Sequence, residues 1–325
     1  MGLAPMAGYT DRVFRHISYE YGACFAYTEM LSAESVLKRF DLVENYLPHE
    51  EPFTGIQIYG RDPEKIASAG EKLQSFGKWI DLNAGCPIKK VTKKGMGGAL
   101  LKDLELLYDI VREMKKRISI PVSVKTRLGW DSENEAKIYW TLVESGADMV
   151  AIHARTVVQG FSGKPNWKAL SKIIEHPVPL LVSGDIFKPE DALKALNESR
   201  ADGILIARGA VGNPWIFSQV RSILRGEAYT EPGFEERLSV FERHIREEYD
   251  FKGERGIVEI RKFVSGYTHS LPHSREFRVR FMKVRDLKET LELIEDYRRF
   301  LRSYLSKSAE DESHSREDQY HDERI

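Results

Sequence analysis

A cysteine set between glycine and proline is the sharpest chemical signal in these 325 residues. In Asp81-Leu82-Asn83-Ala84-Gly85-Cys86-Pro87, proline stops a helix or strand from continuing and glycine permits a loop, so the thiol is presented rather than packed away. Such a thiol can be a nucleophile or an acid. Its ordinary pKa of about 8.5 keeps it mostly protonated at neutral pH, which suits an acid. The bland alternative is a small buried hydrophobe, the reading given to Cys24 in Gly22-Ala23-Cys24-Phe25. Directly downstream, Lys89, Lys90, Lys93, Lys94 and Lys102 lie among glycines with no acidic residue over 82–102. A charge run is usually a solvated face, but one beside a reactive cysteine suggests a polyanionic substrate.

Other polar residues fall at the ends of apolar, β-rich runs: Gln57, Asn83, Lys125 and Arg127, His153 and Arg155, Ser183-Gly184-Asp185, and Ala207-Arg208-Gly209. Glycines at 184 and 209 let backbone N–H groups approach an anion, and Arg208 can clamp phosphate oxygens; otherwise they are tight turns and a surface charge. Lys125 can be a Schiff-base amine, a charged donor to an electron-rich ring, or a lysine that simply reaches solvent. His153 alone is as well explained as a core histidine. The histidines and cysteines lack metal-ligand spacing, so no metal is expected.

These residues need a scaffold that brings strand ends together. Eight candidate strands occur at Leu3–Met6, Phe25–Thr28, Thr54–Tyr59, Trp79–Asn83, Pro121–Lys125, Met149–His153, Leu180–Ser183 and Gly203–Ala207, separated by helical patterns such as Pro63–Phe76 and Pro189–Asn197. Uninterrupted apolar runs such as Ile204-Leu205-Ile206 fit strands covered on both faces. Eight βα units in this length predict an α/β fold, a (β/α)8 TIM barrel over residues 1–230, in preference to an open doubly wound sheet. Its chemistry would gather at the C-terminal ends of the strands.

Beyond Gly226–Gly233 the β signal stops. Leu238, Phe241, Ile245 and Tyr249 share one helical face, as do Leu287, Leu291, Ile294, Leu301 and Leu305, which predicts a smaller all-helical C-terminal domain over 231–305. Within it, Arg275, Arg278, Arg280, Lys283, Arg285 and Lys288 stand against only Glu276 and Asp286. Residues 306–325 hold three basic and seven acidic residues and almost nothing apolar, so a disordered polar tail is expected; without it the formal charge moves from −1 to near +3. No apolar run approaches a membrane span, no secretion signal is evident, and two cysteines suit a reducing compartment. A cytoplasmic, monomeric protein without a membrane partner is the expectation.

Together, Leu3-Ala4-Pro5-Met6-Ala7-Gly8-Tyr9-Thr10-Asp11, Gln57-Ile58-Tyr59-Gly60, Asn83 to Pro87, Gly97 to Leu101, Val124-Lys125-Thr126-Arg127, His153-Ala154-Arg155-Thr156, Ser183-Gly184-Asp185-Ile186 and Gly212-Asn213-Pro214-Trp215-Ile216-Phe217 resemble the tRNA-dihydrouridine synthases, in the family's order. The resemblance runs from Leu3 to about Phe217, with a helical extension similar to the family's tRNA-binding domain. It implies FMN lined by Ala4, Pro5, Met6 and Ala7, bonded by Gln57, Lys125 and His153, and held at its phosphate by Ser183, Gly184, Asp185, Ala207, Arg208 and Gly209. Ser183 departs from the asparagine the family often has there, although a hydroxyl can still hydrogen-bond.

The resemblance further implies that NADPH, with NADH as the alternative, reduces the flavin, that hydride reaches C6 of a uracil, and that Cys86 protonates C5. Asn83, Lys89, Lys90, Lys93, Lys94, Arg127, Arg155, Arg275, Arg278 and Arg280 would meet tRNA. A small-molecule flavin reductase of the dihydroorotate or dihydropyrimidine type is the nearest rival, disfavoured by the basic segments. A Schiff-base aldolase using Lys125 and a catalytically silent tRNA-binding protein are more remote.

Overall fold

The computed structural model describes the backbone of residues 1–322 and the side chains of residues 1–307. The chain forms two compact units, Met1–Tyr229 and Thr230–Ile325.

The first unit contains nine parallel strands: β1 (Gly2–Leu3), β2 (Phe25–Tyr27), β3 (Leu31–Ser32), β4 (Thr54–Tyr59), β5 (Trp79–Asn83), β6 (Val122–Arg127), β7 (Met149–His153), β8 (Leu180–Ser183) and β9 (Gly203–Ile206). They run β2-β1-β9-β8-β7-β6-β5-β4, and a β2–β4 pairing closes the ring into an eight-stranded (β/α)8 barrel. The two-residue β3 is an addition, pairing Leu31 and Ser32 with the last residues of β4.

The strands end where local chemistry ends them. β1 is shorter than the pattern over Leu3–Met6 suggests, because Pro5 has no N–H to give the ladder and Met6 turns back on itself. Its N–H reaches Thr10 Oγ1, while Tyr9 and Thr10 donate to the Met6 carbonyl. β9 stops at Ile206 because Ala207 leaves the extended region (φ −112°, ψ −104°). β6, by contrast, runs on to Arg127.

Helix ends follow the same logic. Pro189 opens the helix Pro189–Ser199, and Pro63 opens the helix Pro63–Leu73, where Asp62 accepts from Lys65 N at 3.1 Å. Between β7 and β8 the connection is a 3-10 turn, Trp167–Lys172, rather than an α-helix. On the barrel floor, Asp148 and Asp202 repeat one device. Each immediately precedes a strand and takes the first N–H of the neighbouring strand: Val122 N at 2.7 Å and Leu180 N at 2.8 Å. Above them Tyr27 and Trp79 meet edge to face at 5.3 Å among Ala4, Ala151, Leu181 and Leu205, so two large rings and several small side chains fill the lumen.

The second unit is helical, with helices Phe234–Lys252, Glu254–Glu259, Ser274–Phe281 and Leu287–Asp322. Leu238, Phe241 and Ile245 are buried as their spacing predicts, and so are Ile294 and Leu301, while Leu305 is 40% exposed. Phe241 stacks on Tyr267 at 4.7 Å and Phe277 on Tyr297 at 4.3 Å. The tail expected to be disordered over 306–325 lies almost wholly outside the fully described residues, although the helical trace itself runs to Asp322. Among the described residues no helix is long and apolar enough to cross a membrane.

Candidate active site at the mouth of the barrel

Because side chains alternate along a strand, Asp81 and Asn83 share one face of β5, as Ser123 and Lys125 do on β6. The ladder then sets Gln57 beside Asp81 and Asp81 beside Ser123, with Asn83 beside Lys125 one step nearer the strand ends. It likewise joins Arg127 to His153 and His153 to Ser183. The strands deliver these residues to one mouth.

Cys86 is held from both sides. Its N–H donates to Asn83 Oδ1 at 2.9 Å and its carbonyl accepts from Gly98 N at 3.0 Å. Burial raises the thiol above its ordinary pKa, opposed by the Ile88 backbone and by the charges of Arg127 and Lys125. The thiol is therefore protonated at neutral pH, the state an acid requires. Beneath it, Asn83 Nδ2 donates to Gln57 Oε1 at 2.8 Å, Gln57 Nε2 to Asp81 Oδ2 at 2.7 Å, and Ser123 Oγ to Asp81 Oδ1 at 2.5 Å. Burial pushes Asp81 up to about 6, against the bonds from Ser123 and Gln57 and the charge of Lys125.

Lys125 is half-buried, and among the described residues its ammonium has no hydrogen-bonded or ion-paired partner. Burial and the neighbouring Arg127 bring it down to about 8, with Asp81 and Cys86 pulling the other way. His153 lies well below its ordinary pKa because it is buried beside Arg127, Lys125, Arg155 and Arg208, so the ring is neutral. Its Nδ1 and Ser183 Oγ are buried polar atoms without a protein partner, a costly arrangement unless something outside the chain bonds them.

The loops after β8 and β9 come within backbone contact. A side chain at Gly209 would put Cβ 2.0 Å from the Ile186 carbonyl oxygen, and Gly184 sits at φ +125°. Arg208 donates to Asp185 Oδ1 at 2.6 Å and lies between the rings of Phe161 and Phe187 at 5.1 and 5.3 Å. Ala4 is buried, Pro5 and Met6 are half-buried and Ala7 is exposed beyond β1.

Two arginines do something other than the sequence suggests. Arg155, expected to face tRNA, is 1% exposed and spends its guanidinium on the Ser162 and Gly163 carbonyls and on Asp185. It cannot reach a phosphate; it pins the loop after β7. Arg127 is also buried, donating from Nε to Gly85 O at 2.9 Å and from Nη1 to the Thr156 and Gly160 carbonyls at 2.9 and 2.6 Å. Only Nη2 is left to address a ligand. Asn83, 9% exposed, supports Cys86 from below.

The remaining basic residues stay on the surface. Lys89, Lys90, Lys93 and Lys94 are exposed on and after a short helix, Lys89–Thr92, with no ion pair among the described residues. Arg275 and Arg280 are exposed and Arg278 half-buried on Ser274–Phe281, equally unpaired.

A family model described as dihydrouridine synthase matches residues 2–304, nearly the whole chain. The chain belongs to the dihydrouridine synthase family. It is 34% identical over 303 residues to tRNA-dihydrouridine synthase B of Pasteurella multocida, covering 91% of each chain. A probable tRNA-dihydrouridine synthase 1 of Synechocystis is 32% identical over 300 residues, 90% of this chain and 84% of the relative. The synthase B of Pseudomonas aeruginosa is 35% identical over 295 residues, 87% and 88% of the two. As a dihydrouridine synthase, the chain is an enzyme of the family that reduces uridines in tRNA.

Asp81 and Ser123 were not singled out from the sequence of this dihydrouridine synthase as site residues. The signal existed for Asp81: a carboxylate two residues before Asn83, inside the otherwise apolar Trp79-Ile80-Asp81-Leu82, points into the lumen with it. Phe161, 57% exposed against His153 and Arg208, gave no signal at all, because its position depends on the loop that Arg155 holds.

Proposed function

We propose that this chain reduces uridine in tRNA to 5,6-dihydrouridine with FMN as its resident cofactor, NADPH as the reductant and Cys86 as the acid. The observation that carries the reading is a buried cysteine, its backbone bonded on both sides, at a mouth that also holds unpartnered polar groups. Those groups fit a flavin: His153 Nδ1 and Ser183 Oγ are buried without partners, and Lys125 presents an unpaired ammonium. The neutral imidazole offers a hydrogen bond and no charge, while Lys125 supplies charge at the same mouth. Gln57 can give the second hydrogen of its Nε2, and Ala4, Pro5, Met6 and Ala7 would form an apolar lining. Gly184, Asp185, Ala207, Arg208 and Gly209 would hold the phosphate. Asp185 is already matched by Arg155 and Arg208, so the net charge there remains favourable to an anion.

A bound reduced flavin supplies the hydride that reaches C6 of the uracil. C5 must then gain a proton where the extracted base excludes water, and Cys86 holds one at Sγ. The Asn83 amide and Gly98 N–H keep the cysteine backbone still, so the thiol is placed before the base arrives. Arg127 Nη2 is free for the base edge. Lys89, Lys90, Lys93 and Lys94, with Arg275, Arg278 and Arg280, would engage phosphates.

Replacing Cys86 by alanine tests this. Flavin content and NADPH oxidation should stay near parental values while single-turnover uridine reduction slows by roughly 10²–10⁴-fold, the span of general acid catalysis. Parental tRNA reduction by the variant would assign the acid elsewhere.

A further inference from the structure

We infer that Asp81 is a positioning residue for this reduction, its carboxylate accepting the last donor of the Gln57–Asn83 amide relay on which Cys86 is seated. The inference rests on the proposed function only for its catalytic consequence; the chain of hydrogen bonds stands by itself.

The relay is fixed at the end that has no choice. The N–H groups of Gly85 and Cys86 can only donate, so Asn83 must turn Oδ1 toward them, at 3.2 and 2.9 Å. Its Nδ2 then faces Gln57, which has to present Oε1 at 2.8 Å. Gln57 is thereby obliged to aim Nε2 inward, and that donor is satisfied only by an acceptor. Asp81 Oδ2 provides it at 2.7 Å, while Ser123 Oγ donates to Oδ1 at 2.5 Å. Turning over either amide would set donor against donor or acceptor against acceptor in a buried site, leaving polar groups unsatisfied. Asp81 is itself fully buried, so it acts through Gln57 and Asn83 and touches no ligand.

The test uses the full-length flavin-loaded protein carrying Cys24→Ser, which leaves Cys86 as its single cysteine. Two quantities are measured: the rate at which iodoacetamide alkylates Cys86, and single-turnover dihydrouridine formation at saturating tRNA by pre-reduced enzyme. Asp81→Asn keeps an acceptor oxygen for Gln57 and can offer its amide hydrogens to Ser123 Oγ; Asp81→Ala keeps neither. The expected result is turnover within about threefold of parent for Asp81→Asn and a loss of about tenfold or more for Asp81→Ala, the counterpart of one lost charged hydrogen bond. The alkylation rate should change in Asp81→Ala and return toward parent in Asp81→Asn. If Asp81→Ala does not fold, Asp81→Leu takes its place, since it fills the space without offering Gln57 an acceptor and should give the same loss. Parental turnover in Asp81→Ala, or equal damage in a folded Asp81→Asn, overturns the inference. Should the parent itself form no dihydrouridine, the proposed function fails instead, and the alkylation arm still decides whether Asp81 seats Cys86.

Discussion

Arg155 in the barrel and the Arg275–Arg280 segment of the helical unit use arginine in opposite ways. Arg155 in the barrel is buried, and its guanidinium is consumed by two carbonyls and a carboxylate. Arg275 and Arg280 in the helical unit are exposed and have no ion pair among the described residues. From the sequence all three are expected to meet tRNA. The difference teaches that charge alone does not make an arginine available to a ligand; unspent hydrogen-bonding capacity does.

The strongest way to break that contrast is Arg155→Ala. Asp185 keeps Arg208 as a partner, but the substitution leaves the Ser162 and Gly163 carbonyls without their donor, so we expect a loss of about 1–3 kcal/mol in stability. Denaturant unfolding measures it. A change below about 1 kcal/mol would mean that Arg155 is not holding the loop.

The complementary substitution, Arg275, Arg278 and Arg280 all to Ala, should leave unfolding and NADPH oxidation almost untouched. It should lower the slope of log affinity for tRNA against log salt by about two to three units, one for each lost phosphate contact. An unchanged slope would remove these residues from the RNA interface.

The smallest effect sharpens the role of charge within the mouth. Lys125 is held at about 8 in the free protein by burial and by Arg127, so it is mainly an ammonium at pH 7 and mainly neutral at pH 9. If bound FMN needs the ammonium and keeps it protonated, FMN affinity should fall about tenfold between those pH values, the linkage expected for one proton taken up on binding. Titration of the flavin-free protein at pH 7, 8 and 9 checks this, and a flat profile would place Lys125 away from the ligand.

Much of this molecule is legible in its sequence, for identifiable reasons. Continuous apolar runs such as Ile204-Leu205-Ile206 are enough to locate covered parallel strands, and polar residues at their ends locate the mouth. Cys86 was visible because glycine and proline flank it. What the sequence hides is pairing between distant positions. Arg155 meets Asp185 thirty residues away, and Asp81 meets Ser123 forty-two away, only after the barrel closes. Without those partners, Arg155 reads as a surface cation and Asp81 as a strand oddity. β1 was overextended because apolar character continues through Met6, whereas hydrogen-bonding capacity stops at Pro5.

The near contact between Gly209 and the Ile186 carbonyl leaves zero clearance between the loops after β8 and β9, where we propose that the FMN phosphate binds. A single methyl group there acts as a wedge, levering apart two loops while leaving the strands and their core undisturbed. Gly209→Ala should therefore yield a folded but colourless protein, its visible flavin absorbance gone and its far-ultraviolet dichroism retained. Colour, in such a protein, reports the fit of two loops to within the radius of one carbon atom.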